Sequence, residues 1–460
     1  MGRRLFGTDG VRGRAGEFLT AELALRVARA AVSQAAAGRA AGSGAGVRAS
    51  GGASAGGRPQ VLIARDTRES GEMLEAAIAA GVSEAGGEAL LAGVLPTPAA
   101  ALLVRRHRLA LAAVISASHN PYEDNGIKLF GPDGFKLDDR AEDAIEAELA
   151  RPASPGGIGR VRPLERALED YLGELERRFG ALRLRGLRVL LDCANGATYR
   201  AAPEAFRRLG ARVETIADAP DGRNINAGCG STYIEALRAA VAAGGYDVGF
   251  AFDGDGDRVL AVDGDGEIVD GDELIALVAL HLRARGRLRG NGVAVTVMTN
   301  YGFHLAMAQA GIQVATTAVG DRYVLDELRR RGWSLGGEQS GHIIELGFGP
   351  SGDGIASALL ALEALGGRDL RERSAMRKLP QRLVNVRGDR EALAPALSSP
   401  ELAAAIERES AALRGRGRVL VRASGTEPLI RVMAEAPTEE ETAAACERLC
   451  AAVEAALGRR

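Results

Sequence analysis

The sequence has no run of about 18 apolar residues, the minimum for a helix that crosses a bilayer. Its opening "MGRRLFGTDG" lacks the apolar segment of a secretory signal. Neither a membrane span nor export is expected, and a cytoplasmic location is. Cysteine is scarce: Cys193, Cys229, Cys446 and Cys450 show no metal-finger spacing, which excludes a disulfide scaffold or a zinc ribbon and fits free thiols in a reducing compartment. An excess of one charge is missing too, since 58 basic residues face 60 acidic ones for a net charge of -2. Nothing in that balance points to nucleic acid or an anionic membrane, so any anion site must be local. Lysine stands only at 128, 136 and 378 among many arginines, which makes each one conspicuous. A G-x-x-x-x-G-K-[ST] loop for nucleotide phosphates is absent, which argues against an ATP-dependent kinase.

What is present is 460 residues, 46% of them hydrophobic, enough for several cores and roughly three or four domains. Residues 38–58 are mostly glycine, alanine and serine, which cannot pack a core and read as a flexible insertion. Elsewhere an apolar strand, a helix and a second strand recur: "QVLIAR", "GEMLEAAIAAGVSEAG" and "EALLAGV" first. The order returns in "LRVLLD" through "ARVETIA" and again in "GVAVTV" through "IQVATT". Apolar strands alternating with helices need cover on both faces, so three α/β domains with mainly parallel strands are predicted. The tail, with "QRLVNVRG", "RVLVRASG" and "LIRVMAEA" between helices, predicts a smaller α+β domain. The expected divisions are 1–160 (with the insertion), 161–262, 263–377 and 378–460.

Polar clusters follow several of these strands, where ligands of open α/β sheets gather. In "ISASHNP", Ser118 is a candidate nucleophile. If Ser118 and His119 are both extended their side chains point to opposite faces, so His119 is not expected as its base, and no G-x-S-x-G elbow suggests an esterase. The bland alternative is that Ser118 and Asn120 only satisfy a turn before Pro121. In "FDGDGDR", Asp253, Asp255 and Asp257 alternate with glycines that let a loop curl around one cation. The spacing is wrong for an EF-hand, whose sixth and twelfth positions would fall on Arg258 and Gly264. Three carboxylates suit Mg²⁺ with a ligand position left for a phosphate oxygen, which a phosphorylated Ser118 could supply. "VDGDGE" shortly after reads as a plain hairpin. In "LVRASGTEPLIR", Arg422, Ser424, Gly425, Thr426 and Arg431 offer many donors and suit an anion cradle. In "GGEQSGH", Glu338, Ser340 and His342 suit a polyol.

A serine, a magnesium loop, a polyol loop and a phosphate cradle together describe phosphoryl transfer on a sugar phosphate. The ordered motifs "FGTDGVRG", "ISASHNPYEDNGIKLF", "DCANGA", "DGRNINAGCGS", "FDGDGDR", "VGDRYV", "GGEQSGH" and "RASGTEP" run nearly end to end. In them the chain resembles the α-D-phosphohexomutase superfamily, and most closely its phosphoglucosamine mutases. It departs at Tyr233, where a histidine is usual, at Leu129, where a phenylalanine is usual, and in the 38–58 insertion. The resemblance implies four domains around a central cleft: three similar α/β domains with mixed, mainly parallel sheets plus a smaller C-terminal α+β domain. It implies a phosphoserine at Ser118, with that phosphate and Asp253, Asp255 and Asp257 holding one Mg²⁺ per subunit. Lys128, Arg258 and Arg12 would neutralise charge and His119 would help position the transferred group, with Lys128 and His342 as candidate acid and base. Glu338 and Ser340 would hold sugar hydroxyls, and Arg422, Ser424, Gly425, Thr426 and Arg431 the distal phosphate. The implied partners are a small-molecule sugar phosphate, a sugar 1,6-bisphosphate as primer and, as an open option, a second copy of the chain. Nucleic acid and membrane are not expected. A phosphomannomutase or phosphoglucomutase, or a noncatalytic sugar-phosphate-binding protein, are the competing readings.

Overall fold

The computed structural model describes residues 5–7, 9–40, 57–149, 157–424 and 427–458. Most of the expected insertion, and Gly425 and Thr426 of the expected cradle, lie outside the described residues. The first sheet contains β1 (Val11–Arg14), β2 (Gln60–Arg65), β3 (Glu88–Val94), β4 (Leu111–Ile115), β5 (Asp124–Phe130) and β6 (Arg160–Pro163), in the order β1-β5-β4-β2-β3-β6. The second contains β7 (Arg188–Asp192), β8 (Arg212–Ile216), β9 (Val248–Phe252), β10 (Val259–Asp263) and β11 (Ile268–Val269), in the order β11-β10-β9-β7-β8. In the third, β12 (Gly292–Thr296), β13 (Gln313–Thr317), β14 (Leu335–Gly337) and β15 (Ile343–Glu345) follow the order β13-β12-β14-β15. The last is antiparallel throughout, with β16 (Gln381–Arg387), β17 (Arg418–Ala423) and β18 (Leu429–Glu435) in the order β16-β18-β17.

The three strand-helix-strand repeats fold as parallel pairs, β2 with β3, β7 with β8 and β12 with β13. Each crosses over through a helix: Ser70–Glu84, Thr198–Arg208 or Tyr301–Gln309. The strands are buried because helices cover them; all five residues of β4, β9 and β12 are buried. Each of these sheets also has an antiparallel return, β4 to β5, β9 to β10 and β14 to β15. The link is too short in each case for a crossover, so the chain must reverse. Those reversals are the segments "SASHNPYE", "DGDGDR" and "EQSGH". The polar loops are thus the turns that make the sheets mixed. "VDGDGE" forms the hairpin joining β10 and β11, as its sequence suggests.

One apolar core runs from Leu62 to Leu370 through the first three sheets, while residues from Val386 to Val453 form a separate core under the fourth. The fourth unit is attached to the third by polar contacts. Arg418 donates to the Thr299 carbonyl (2.6 Å) and to Glu435 (2.7 Å), whose carboxylate also accepts from the Tyr301 amide. Asn300 bonds the Leu379 amide and carbonyl, each at 3.0 Å, and Lys378 pairs with Asp270 (2.8 Å) and Glu273 (3.2 Å). Among the described residues no helix is long and apolar enough to cross a membrane.

A buried bond ties the helix Ala167–Phe179 to the helix Gly354–Leu365. The Tyr171 hydroxyl lies 3.0 Å from both oxygens of Asp353, the cap that also accepts from the Ala356 amide. Burial raises the Asp353 carboxyl to about 6, so it depends on these donors. Tyr171→Phe is expected to cost about 1–3 kcal/mol, the penalty for a buried polar group left short of a donor, and to lower the calorimetric unfolding midpoint.

Candidate active site

Ser118 lies beyond the end of β4 with φ at 53°, a left-handed conformation that costs a non-glycine residue about 1–3 kcal/mol. The surroundings hold it there. Its amide donates to Ser116 Oγ (2.9 Å), and its carbonyl accepts from Arg68 Nη2 (2.9 Å) and Asn226 Nδ2 (3.0 Å). Arg68 is fully buried, and its fork also reaches the carbonyls of Asn120 (2.8 Å) and Pro121, while its Nε pairs with Asp66 at 2.9 Å. Burial pushes the Asp66 carboxyl up, and Arg68 and a 2.5 Å bond from Ser116 Oγ oppose that shift. An arginine whose charge is matched by one carboxylate thus spends its remaining donors on the serine loop. Because Ser118 is turned rather than extended, its Oγ lies 3.3 Å from His119 Nδ1, unlike the opposed side chains expected of a strand. Burial, with the charges of Arg258 and Arg12, lowers the His119 imidazole to about 4, which leaves it neutral near pH 7.

The second loop comes to meet this one. Ser118 Oγ donates to Asp253 Oδ2 at 2.6 Å. Gly254 is required where the loops touch, because a Cβ there would sit 2.5 Å from the Ser118 carbonyl oxygen. Asp253, Asp255 and Asp257 are buried, and one oxygen from each lies within 4.8 Å of the others. Asp255 Oδ2 accepts from Thr97 (2.6 Å) and Lys128 (2.8 Å), and Asp257 lies 3.4 Å from His342 Nδ1 and 3.7 Å from Lys128. Asp255 Oδ1 and Asp257 Oδ1 are buried without a hydrogen bond. Two buried acceptors without a hydrogen bond, beside a third carboxylate, fit a hard divalent cation, which would satisfy both and relieve the repulsion. Burial, then Asp257 and Asp255, drive the Asp253 carboxyl well above its ordinary range. Burial pulls the Lys128 ammonium down, but Asp255, Asp9 and Asp257 together hold it above its usual value.

The third domain contributes His342, which faces Asp257. The Gly352 amide donates to its Nε2 at 3.2 Å, and a Cβ on Gly352 would lie 2.6 Å from the ring. Arg258 Nε is 3.8 Å from Asp257, and its backbone bridges to that of His342. Arg12 bonds Asp9, which is itself 3.2 Å from Lys128. The structure therefore joins Arg12, Ser118, His119, Lys128, Asp253, Asp255, Asp257, Arg258 and His342 in one cluster. Glu338 adjoins it: Glu338 accepts from the Gly320 amide at 3.0 Å, and its charge acts on Arg258 and His342. Ser340 is exposed in the same turn.

In the fourth unit Arg422 and Arg431 are direct partners across β17 and β18, which puts both guanidinium groups on one face. Their contacts are weak. Arg422 Nη2 is 3.8 Å from Met298 Sδ, Arg431 Nη2 is 3.9 Å from Glu427, and Arg431 Nε is buried without a partner. Ser424 Oγ accepts from the Glu427 amide at 3.3 Å. Among the described residues no hydrogen bond or ion pair joins these groups to the Ser118 cluster.

Four residues near the serine escaped the sequence reading. Arg68 grips backbone carbonyls, which carry no sequence signal, and Asn226 does the same from "NINAGCGS". Asp9 and Asp321 share Lys136, and they sit in the motifs "GTDG" and "VGDRYV". The scarcity of lysine and the two motifs were the available signals for that group.

The chain matches the phosphoglucomutase/phosphomannomutase family in four successive parts. These are alpha/beta/alpha domain I over residues 3–155, domain II over 169–266, domain III over 270–383 and the C-terminal domain over 383–452. A phosphoglucosamine mutase from Desulforudis audaxviator is 51% identical over 449 residues, covering 95% of this chain and 94% of that protein. One from Mycolicibacterium paratuberculosis is 50% identical over 461 residues, covering 98% and 99%. Among solved structures, a phosphoglucomutase/phosphomannomutase family protein from Burkholderia thailandensis superimposes with a TM-score of 0.80 at 22% identity, covering 98% of this chain and 97% of that one. Aspergillus fumigatus N-acetylphosphoglucosamine mutase, solved in complex with GlcNAc-6P and magnesium, gives 0.62 at 20% identity, covering 78% and 92%.

Two outcomes are expected from this geometry. Adding millimolar Mg²⁺ to chelator-treated protein should raise its melting temperature, since a ligand that binds only the folded state stabilises it, and Asp255→Asn should abolish most of that rise. Arg68→Met should destabilise the protein by about 3–5 kcal/mol, because it leaves Asp66 as an unpaired buried charge, and a melting temperature close to wild type would contradict this.

Proposed function

The chain belongs to the phosphoglucosamine mutases of the phosphoglucomutase/phosphomannomutase family, and from that premise we propose that it interconverts glucosamine 6-phosphate and glucosamine 1-phosphate with Ser118 as the phosphate carrier. The observation that carries the assignment is the 2.6 Å bond from Ser118 Oγ to Asp253 at the meeting of two loops from different sheets. A structural serine would satisfy its own turn. This one reaches across to a carboxylate cluster with two unsatisfied buried oxygens.

In the forward direction the phosphoryl group on Ser118 passes to O1 of glucosamine 6-phosphate. The P–Oγ bond breaks, the P–O1 bond forms, and the O1 proton leaves to a neighbouring base. The resulting 1,6-bisphosphate turns over in the cleft and its 6-phosphoryl group moves to Ser118 Oγ. O6 then takes up a proton, and glucosamine 1-phosphate departs. Such transfers depend on positioning and charge neutralisation more than on covalent chemistry. Lys128, Arg258 and Arg12 supply the positive charge, and Lys128 and His342, each packed against a carboxylate of the cluster, handle the protons. His119, neutral beside Oγ, orients the serine without adding charge. Asp253, Asp255 and Asp257, with the phosphate on Ser118, would hold Mg²⁺, which supplies Lewis-acid stabilisation of the transferring oxygens when bound.

Glu338 and Ser340 take sugar hydroxyls, and Arg422, Ser424, Gly425, Thr426 and Arg431 take the phosphate that is not being transferred. Both ends of the sugar must use that cradle in turn, which suits a fourth unit with a core of its own. A sugar 1,6-bisphosphate primes an enzyme that has lost its phosphate. The expected divisions at 160 and 262 cut the first two sheets, because β6 (Arg160–Pro163) pairs with β3 and β11 (Ile268–Val269) pairs with β10. With both moved past those strands, and the last kept at 377, the four units take serine, metal, sugar and distal phosphate in that order.

The test is the kcat/KM of the Mg²⁺-loaded enzyme, primed with sugar bisphosphate, for glucosamine 6-phosphate against glucose 6-phosphate and mannose 6-phosphate. Strong preference for the amino sugar is expected, and preference for a neutral hexose would overturn the substrate assignment. Ser118→Ala should abolish turnover while leaving the melting temperature within a few degrees of wild type. Full activity in that variant would remove Ser118 from the mechanism.

A further inference from the structure

Lys136 has no part in the transfer described above, yet it is held as tightly as any cation in the cluster. It lies in the turn after β5, where its backbone bridges to Phe130. Its ammonium bonds Asp9 of the first domain and lies 2.6 Å from Asp321 Oδ2, in the first turn of the helix Asp321–Arg331 of the third. From Asp9 the contacts run to Lys128 at 3.2 Å and from Asp321 to His342 Nε2 at 3.7 Å. Lys128 and His342 close the circuit on Asp257, at 3.7 and 3.4 Å. The six groups, Lys136, Asp9, Lys128, Asp257, His342 and Asp321, form a closed ring with Lys136 opposite Asp257.

We propose that Lys136, acting through Asp9 and Asp321, is a positioning residue for the transfer step: it closes this ring and so fixes where Lys128 and His342 stand over the metal and serine loops. Without its ammonium, Asp9 is left to Arg12 and Lys128, and Asp321 to His342. Asp9 can then draw Lys128 away from Asp255, and Asp321 can draw His342 away from Asp257. Both shifts displace reacting-side groups, and neither touches the arginine pair in the fourth unit. Misplacement of a catalytic group by about 1 Å can cost roughly a hundredfold in rate.

The domain contact itself does not depend on Lys136. On either side of it, the Arg329 guanidinium lies 4.8 Å from the centre of the Phe135 ring and Arg322 pairs with Asp139 at 3.0 Å. A Lys136 variant therefore loses the ring and keeps the interface, which separates positioning from attachment.

The inference rests on the reading of this site as a phosphohexomutase centre, and wild-type turnover of glucosamine 6-phosphate by the full-length, Mg²⁺-loaded, bisphosphate-primed enzyme tests that reading first. Absence of wild-type turnover sinks both. With an active wild type, Lys136→Met should lower kcat tenfold or more with KM changed less than about threefold. Lys136→Arg should recover most of the loss, and Asp139→Asn at the flanking contact should leave kcat within twofold. Asp321→Asn removes the other end of the bond and supplies the same comparison if Lys136→Met does not fold. It should show the same kcat-selective loss, and the double variant should be no slower than the slower single one. A kcat within twofold of wild type for Lys136→Met or Asp321→Asn, a loss confined to KM, an arginine variant as slow as the methionine one, or an equal kcat loss in Asp139→Asn would overturn the proposal.

Discussion

Three carboxylates buried within 4.8 Å of one another set the terms for everything around them. At an effective dielectric constant of about 20, each like-charged pair at that distance costs about 3 kcal/mol. Such a loop folds only if cations and donors are brought to it from elsewhere in the chain. Thr97 comes from the start of a first-domain helix, Lys128 from β5, Arg258 from the loop itself and His342 from the third domain. The demand of one loop thus accounts for the convergence of three sheets on it. The oxygens still unsatisfied mark where a metal ion would complete the balance.

The serine loop solves the opposite problem, holding an unfavourable backbone in place. A left-handed Ser118 aims its hydroxyl at the aspartates, and Arg68 secures that conformation by gripping the carbonyls of residues 118, 120 and 121. The guanidinium suits this work because its planar fork presents several donors in fixed directions and cannot lose its charge. Strain is thereby placed at Ser118 and offset by the buried Arg68–Asp66 ion pair behind it.

The strand-helix-strand repeats were legible because period and apolarity both mark them, and the fold class followed. The antiparallel returns were not, since "DNGIKLF" carries a lysine and an aspartate that disguise a buried strand. The lysine's carboxylate partners, Asp9, Asp255 and Asp257, lie far off in sequence, whereas Asp124 accepts from Asn120 four residues before it. Ser118 stood out because polar residues follow an apolar run, and the aspartate trio and the arginine pair because they do so beside glycine. Arg68, Asn226 and Asp321 did not, since what they bind lies far away in sequence or is backbone. The proximity of His119 Nδ1 to Ser118 Oγ was hidden for a different reason: it depends on a φ angle that serine seldom adopts.

All three lysines are engaged: Lys128 with Asp255 and Asp9, Lys136 with Asp9 and Asp321, and Lys378 with Asp270 and Glu273 beside the link to the fourth unit. Their side chains are 0%, 20% and 37% exposed. Arginine supplies the other cations, and a guanidinium is a poor target for acylating reagents. Amine-directed labelling of this protein would therefore leave most of its surface untouched, and modification of Lys128 or Lys136 would report on the loosening of the ion pairs that hold them.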